Sequence, residues 1–181
     1  MTTTRRFTAD DLFRFNNVNL DHYTETYNLN FYFQYLANWP EYFLKTETPH
    51  DSTVMGYIMG KIETAPQDTK RAKWHGHVTA LTVGPDYRRL GLAKNMMDLL
   101  EDITDEMHKG FFVDLFVRCS NVVAISMYEK LGYKVYRRIN RYYTDEDGFD
   151  MRKSMISRDP GKKFMIPLTR TIDCDELDST L

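Results

Sequence analysis

Cysteine is scarce in this chain of 181 residues: only Cys119 and Cys174 occur, far apart. That excludes a disulfide framework, and a reducing, cytoplasmic setting is the expectation. No apolar run approaches the roughly 20 residues of a membrane span. The opening MTTTRRFTADD lacks the apolar core of a signal peptide. An excess of basic charge is missing too, with a formal net charge of -2. A general nucleic-acid binder needs a basic field, so no direct nucleic-acid partner is expected. The chain has no internal repeat and no low-complexity linker. It has no GxxxxGK followed by Ser or Thr, and no GxGxxG after a strand, so two familiar phosphate loops are set aside. His75 and His77 are two residues apart on a strand, on one face. They would make half a zinc site, but no Cys or carboxylate cluster at ligand spacing completes it, and no metal is expected.

What is present points to one globular domain, with room for a tail. Hydrophobic residues make up 42% and charged residues 28%, enough for a full core. Aromatics reach 14% and gather in Tyr/Phe-rich patches. RRFTADD reads as a short strand ending in an Asp cap, with LFRFNNVNL a short helix after it. LNFYFQYLANWPEY has helical spacing of aromatics and is stopped by Pro40. EYFLKTE and TVMGYIMGKIE read as strands around the turn PHDS, and WHGHVTALTV as a further strand. APQDTKRAK reads as a polar loop. A helix is expected from Leu90 to about His108. FFVDLFV has the near-continuous apolar character of a buried strand. SNVVAISMYEKLGY reads as a helix capped at Ser120 or Asn121 and closed by Gly132. YKVYRRINRYY and FDMRKSM read as strands. From about Ser157 the chain is polar, and the acidic TIDCDELDSTL is expected to be mobile. Strands alternating with helices, plus hairpin-like pairs, indicate a mixed α/β sheet.

The stretch VGPDYRRLGLAKNMMDLL carries the first chemistry. Pro85 ends the strand, and Arg88, Arg89, Gly91 and Ala93 fill the turn and first helical residues. A helix start offers unsatisfied N–H groups and a partial positive charge, which suits a diphosphate. Gly91 removes a side chain that would collide with an oxygen, and an arginine adds charge and a planar fork. The other reading is an ordinary strand–helix turn with a basic rim.

Arg88-x-x-Gly91-x-Ala93 after an apolar strand resembles the acetyl-CoA motif of the GNAT acetyltransferase superfamily. Asn121, Ala124, Tyr128, Gly132 and Tyr133 resemble that superfamily's later helix, in the right order and with a strand between. More narrowly, FTADDLFRFNNVNLDHYTETYNLNFYFQYLANWPEYF, WHGHVTALTVGPDYRRLGLA, FFVDLFVRCSNVVAISMYEKLGYKVYRR and DGFDMRKS are similar to the family of N-terminal acetyltransferase B (NatB) catalytic subunits. The likeness covers roughly Met1 to Leu168. It implies a GNAT domain over residues 1–156, with a mixed, mostly antiparallel central sheet flanked by about four helices, and a C-terminal extension over 157–181. It implies an enzyme that moves an acetyl group from acetyl-CoA to the α-amine of nascent polypeptides starting Met-Asp, Met-Glu, Met-Asn or Met-Gln. It also implies a large helical-repeat auxiliary subunit that places the enzyme near the ribosome. Alternatives are a GNAT enzyme acetylating a lysine or small amine, and a non-catalytic acetyl-CoA-binding scaffold.

Residue roles follow from the resemblance. Arg88, Arg89, Gly91, Leu92 and Ala93 would hold the pyrophosphate. Leu81, Thr82 and Val83 would pair with the pantetheine arm as a strand does, and an N–H there would support the oxyanion. Tyr128 is either core aromatic or the acid that protonates the leaving thiolate. Asn121 is either only a helix cap or also a contact to CoA or a catalytic water. His77, with Thr79 on the same face, would meet the substrate's second side chain. Glu25 and Tyr27 in TETYN, and Tyr142 and Tyr143 in RYY, would flank the peptide. The plain readings of these four are solvated charge and packing aromatics. The aromatic stretch NFYFQYLANWPEYF carries more apolar surface than one thin face needs, and the resemblance implies that it meets the auxiliary subunit.

Overall fold

The computed structural model describes residues 2–21, 24–63 and 74–177. The segment APQDTKRAK and the last four residues of the acidic end lie outside them. Two compact units form, Met1–Lys61 with Val78–Ile103, and Ile62–His77 with Thr104–Leu181.

The first unit contains strands β1 (Thr3–Arg6), β2 (Phe43–Glu47), β3 (Val54–Glu63, to Lys61) and the larger part of β4 (His75–Val83), side by side in that order. β1 with β2, and β2 with β3, are antiparallel. Helices α1 (Asn16–Asn19), α2 (Leu29–Asn38) and α3 (Leu92–Asp102) accompany them. The residue that opens the first helical turn is Thr8 rather than an aspartate: Asp11 Oδ2 accepts from both the Thr8 N–H and the Thr8 hydroxyl at 2.9 Å. The core is aromatic. Phe7 stacks on Phe43 at 4.2 Å, and Phe15, Tyr32 and Tyr57 pack around them. This core absorbs most of the aromatic surplus of the α2 segment. Tyr32, Tyr35, Tyr42 and Phe43 are buried, which leaves Leu29 and Phe33 as the exposed large side chains of α2. β2 is buried along its whole length despite its polar sequence FLKTE. Lys45 Nζ donates to Asp11 Oδ1 at 2.7 Å and is flanked by Glu47, so the buried cation has two carboxylates.

In the second unit the strand order is β5 (Phe112–Arg118), β7 (Glu146–Ser154), β6 (Lys134–Tyr143), β8 (Ile172–Asp173), with α4 (Val122–Lys130) after β5. β5–β7 and β6–β7 are antiparallel, and β6–β8 is parallel. The start of β4 belongs here: Phe111 N–H donates to Trp74 O at 2.8 Å. Asn121 accepts from Ala124 N–H at 3.1 Å and starts α4, and Gly132, with φ +96°, ends it.

Two expectations change. The helix expected to reach His108 stops as α-helix at Asp102 and runs on as one wide π turn, Ile103–Met107. The C-terminal stretch expected to be mobile folds back instead. Ile139 pairs with Ile172 and Asn140 with Asp173, while Ile172 and Leu177 are buried against Ile139. Apolar residues spaced through an acidic segment found a strand edge to cover.

Candidate functional site

In the first unit, the downstream half of β4 meets the turn that enters α3. Thr79, Ala80, Leu81 and Val83 are half-buried and Thr82 is buried. The loop carrying Glu25 and Tyr27 is tied to this strand. Thr24 Oγ1 lies 2.6 Å from Thr82 Oγ1, Tyr27 OH donates to Thr79 O at 3.4 Å, and Tyr35 OH lies 2.7 Å from Thr79 Oγ1. The Thr79 hydroxyl therefore already has a partner in Tyr35. Burial, and then the charge of Glu25, push the Tyr27 phenol up to about 12, so Tyr27 stays a neutral donor. Tyr35 and Thr24 were not foreseen as members of this group. The inward i, i+3 pair Tyr32 and Tyr35 on α2 was the available signal.

The turn has the geometry of an anion seat. Gly91 sits at φ +79° as the residue before α3, a left-handed conformation that a side chain resists. A Cβ built there meets nothing within 4 Å, so the space in front of it is open. The first closed helical bond runs from Asn95 N–H to Gly91 O at 3.0 Å. By helix geometry the N–H groups of Leu92, Ala93 and Lys94 come before it and have no partner within the helix. Arg89 is exposed, with φ +61°. Arg88 is placed differently from a free fork: its Nε donates to Val83 O at 3.2 Å and its Nη2 to Asp21 Oδ1 at 2.8 Å. It braces the end of β4. The open Gly91 position and the helix-start amides fit a diphosphate.

In the second unit a buried carboxylate, Asp114, organises the candidate residues. His77 Nδ1 lies 2.8 Å from Asp114 Oδ1. His75 Nε2 lies 3.6 Å from Asp114 Oδ2 and 3.5 Å from Glu63 Oε2. Asp114 is fully buried, which alone would raise its pKa. The charges of His75, His77 and Arg152 outweigh that and hold it well below the usual carboxylate range. Arg152 lies opposite Asp114 in the β5–β7 register and forks onto Asp150 at 3.0 and 2.9 Å. Arg137 Nε donates to the same carboxylate at 2.9 Å. Asp114 was missed from the sequence. The trace it leaves is a lone acid inside the apolar run FFVDLFV, which only a buried partner could justify.

An aromatic row continues from His77. Its ring is 5.1 Å from Phe116, Phe116 is 4.6 Å from Tyr142, and Tyr142 is 5.0 Å from Tyr143. Tyr143 OH donates to Phe116 O at 3.2 Å, and the Arg118 guanidinium lies 4.3 Å over the Tyr143 ring. Thus His77, Tyr142 and Tyr143, far apart in sequence, come together, with Phe116 as the link.

Tyr128 is buried on α4, edge-on to Tyr133 at 5.9 Å. Its hydroxyl has no hydrogen-bond partner among the described residues. Burial raises its pKa well above the ordinary 10, so it carries its proton at any working pH. Asn121 spends its side-chain oxygen on the α4 cap, so only its amide nitrogen remains to donate to a ligand. Among the described residues no group of His, Cys, Asp and Glu side chains could hold a metal ion, and no helix is long and apolar enough to cross a membrane.

Comparison with known proteins follows the same lines. Residues 8–133 match the Acetyltransferase (GNAT) family. The Arabidopsis thaliana N-terminal acetyltransferase B complex catalytic subunit NAA20 is 60% identical over 179 residues, 98% of this chain and 99% of its own. The crystal structure of Chaetomium thermophilum Naa20 in complex with a bisubstrate analogue superposes with a TM-score of 0.87 at 40% identity, covering 96% of this chain and 97% of that one. A structure of the NatB acetyltransferase complex bound to CoA and MES gives a TM-score of 0.77 at 41% identity, covering 84% of this chain and 99% of that one.

Proposed function

The chain belongs to the GNAT acetyltransferases and, within them, to the catalytic subunits of N-terminal acetyltransferase B, and from that premise we propose that it acetylates the α-amine of polypeptides starting Met-Asp, Met-Glu, Met-Asn or Met-Gln. The observation that carries the reading is the Gly91 turn, with its left-handed glycine, open front and three helix-start amides. Acetyl-CoA, whose CoA part is a ligand bound in the NatB complex structure, would supply the acyl group as a thioester. Gly91, Leu92 and Ala93 would hold its diphosphate through backbone N–H groups, with Arg89 adding charge. Leu81, Thr82 and Val83 would pair with the pantetheine arm.

In the transfer, the amine nitrogen would form a bond to the acyl carbon, the carbon–sulfur bond would break, Tyr128 would hand its proton to the leaving sulfur, and the surplus proton of the nitrogen would leave through water and restore the Tyr128 phenol. A phenol raised by burial and without a hydrogen-bond partner among the described residues suits that role, because it arrives protonated. Asn121 would contact the cofactor through its amide nitrogen. On the substrate side, His77 would meet the second side chain, Tyr142 and Tyr143 would wall the methionine, and Glu25 would hold the peptide's amino end or backbone, with Tyr27, whose hydroxyl donates to Thr79 O, beside it. The enzyme works in a complex with an auxiliary subunit. We propose further that this subunit is a large helical-repeat protein and that the setting is the cytoplasm near the ribosome, where nascent amino termini emerge.

The deciding assay is acetylation by the complex of peptides that differ only in their first two residues. Met-Asp, Met-Glu, Met-Asn and Met-Gln should be acetylated, with Met-Leu, Ser and Ala termini poor. A site built to hydrogen-bond a polar group discriminates when that group is missing. Equal rates for Met-Asp and Met-Leu would overturn the selectivity and leave the acetyltransferase standing.

A further inference from the structure

We propose that Asp114 is a positioning residue that fixes the ring state of His77 and thereby lets one imidazole accept both acidic and amide second side chains; this rests on the substrate reading of His77 given above. Asp114 has no exposed surface, and its Oδ1 is 2.8 Å from His77 Nδ1. An ionised carboxylate only accepts hydrogen bonds, so Nδ1 carries the hydrogen. Nε2 is then the free end of the ring. In the neutral ring it is an acceptor, suited to the N–H of an Asn or Gln carboxamide. In the imidazolium it is a donor, suited to an Asp or Glu carboxylate. The opposite tautomer would keep a hydrogen on Nε2 and could meet a carboxamide only through its oxygen, never through its amide nitrogen.

Asp114 also supplies the countercharge that an imidazolium needs in a buried place. Its own charge is kept by its surroundings. His75 faces the second oxygen, Arg152 lies across the strand pair, and Glu63 stands behind His75. The ring cannot swing away easily, because it is 7% exposed and packs against Phe116. Nothing about the pairing of Asp114 with His77 is needed to hold the acyl donor. It bears on which amino termini are accepted.

The test uses the enzyme in complex with its auxiliary subunit. Asp114→Asn keeps the shape and removes the countercharge. Charge-assisted hydrogen bonds are roughly twice as strong as neutral ones, and losing one costs on the order of tenfold or more. So kcat/KM should fall about tenfold or more for Met-Asp and Met-Glu peptides and change far less for Met-Asn and Met-Gln, with KM for acetyl-CoA unmoved. Equal losses on all four would mean a purely structural role and overturn the proposal. Should the Asn variant not fold, nitrogen chemical shifts of His77 in the unmodified complex still decide, since the hydrogen must be found on Nδ1 and a ring found with hydrogen on Nε2 alone refutes the assignment. His77→Ala separates the two layers. If it leaves selectivity untouched, the substrate reading of His77 falls and this inference with it. If it abolishes selectivity while Asp114→Asn does nothing, only the inference falls.

Discussion

Replacing Gly91 tests the diphosphate seat, provided that backbone strain and lost access are separated. Gly91 holds φ +79°. An L side chain in that region costs roughly 1–2 kcal/mol. For a chain of this size that is a drop in Tm of about 2–8 °C. Crowding adds nothing, since a Cβ at Gly91 finds no atom within 4 Å. Gly91→Ala should therefore lower stability modestly and leave the protein folded. Its effect on acetyl-CoA is larger, because the new methyl occupies the open front through which a phosphate oxygen reaches the amides. Losing one hydrogen bond to a charged group costs about 1.5–3 kcal/mol, which is roughly tenfold to 150-fold in Kd. Gly91→Asn is the discriminating variant. Asparagine tolerates the left-handed region, so most of the stability should return, but its side chain still stands in the approach. Calorimetric titration with acetyl-CoA should show weak binding in both variants and a near-normal Tm only in the Asn one. Normal affinity in a folded Gly91→Asn protein would refute the seat, and recovery of affinity in step with stability would show that strain, not access, was responsible.

Three further outcomes are expected. Tyr128→Phe should keep the fold and acetyl-CoA binding and lose about tenfold to a thousandfold in turnover; because burial raises its pKa, no alkaline limb from this group should appear below about pH 10 in the wild-type rate profile. Arg152→Met leaves Asp150 buried with half its partners and should destabilise by about 3–5 kcal/mol in a denaturant titration, whereas a loss under about 1 kcal/mol would mean that Arg137 suffices. Leu177→Ala should cost about 2 kcal/mol, seen as a fall in Tm of roughly 4–8 °C; an unchanged Tm would mean that the packing of the C-terminal segment on Ile139 does not hold in solution.

Local chemistry alone determined a large part of this protein. The apolar runs at β3, β4 and β5, the Pro85 stop, the Gly91 helix start, the Asn121 cap and the Gly132 end are all set within a few residues, by steric limits on φ and by unsatisfied helix termini. Those are the features that carried the family resemblance. The tertiary structure alone decided where long-range partners lie. Arg88 reads from the sequence as part of the phosphate turn, and only the fold brings Asp21, 67 residues away, to its Nη2. His75 and His77 shared a face by periodicity, but only the neighbouring strand could supply Asp114 to both. The aromatic excess of α2 is mostly covered within this chain, with Leu29 and Phe33 left exposed, since whether a ring is covered depends on what folds over it. The acidic end looked mobile because its charge is visible in sequence, whereas the β6 edge that Ile172 and Leu177 cover is not. Charge, periodicity and capping are properties of neighbours along the chain, but a buried pair is a property of two segments, and its cost and its gain both exist only once they meet.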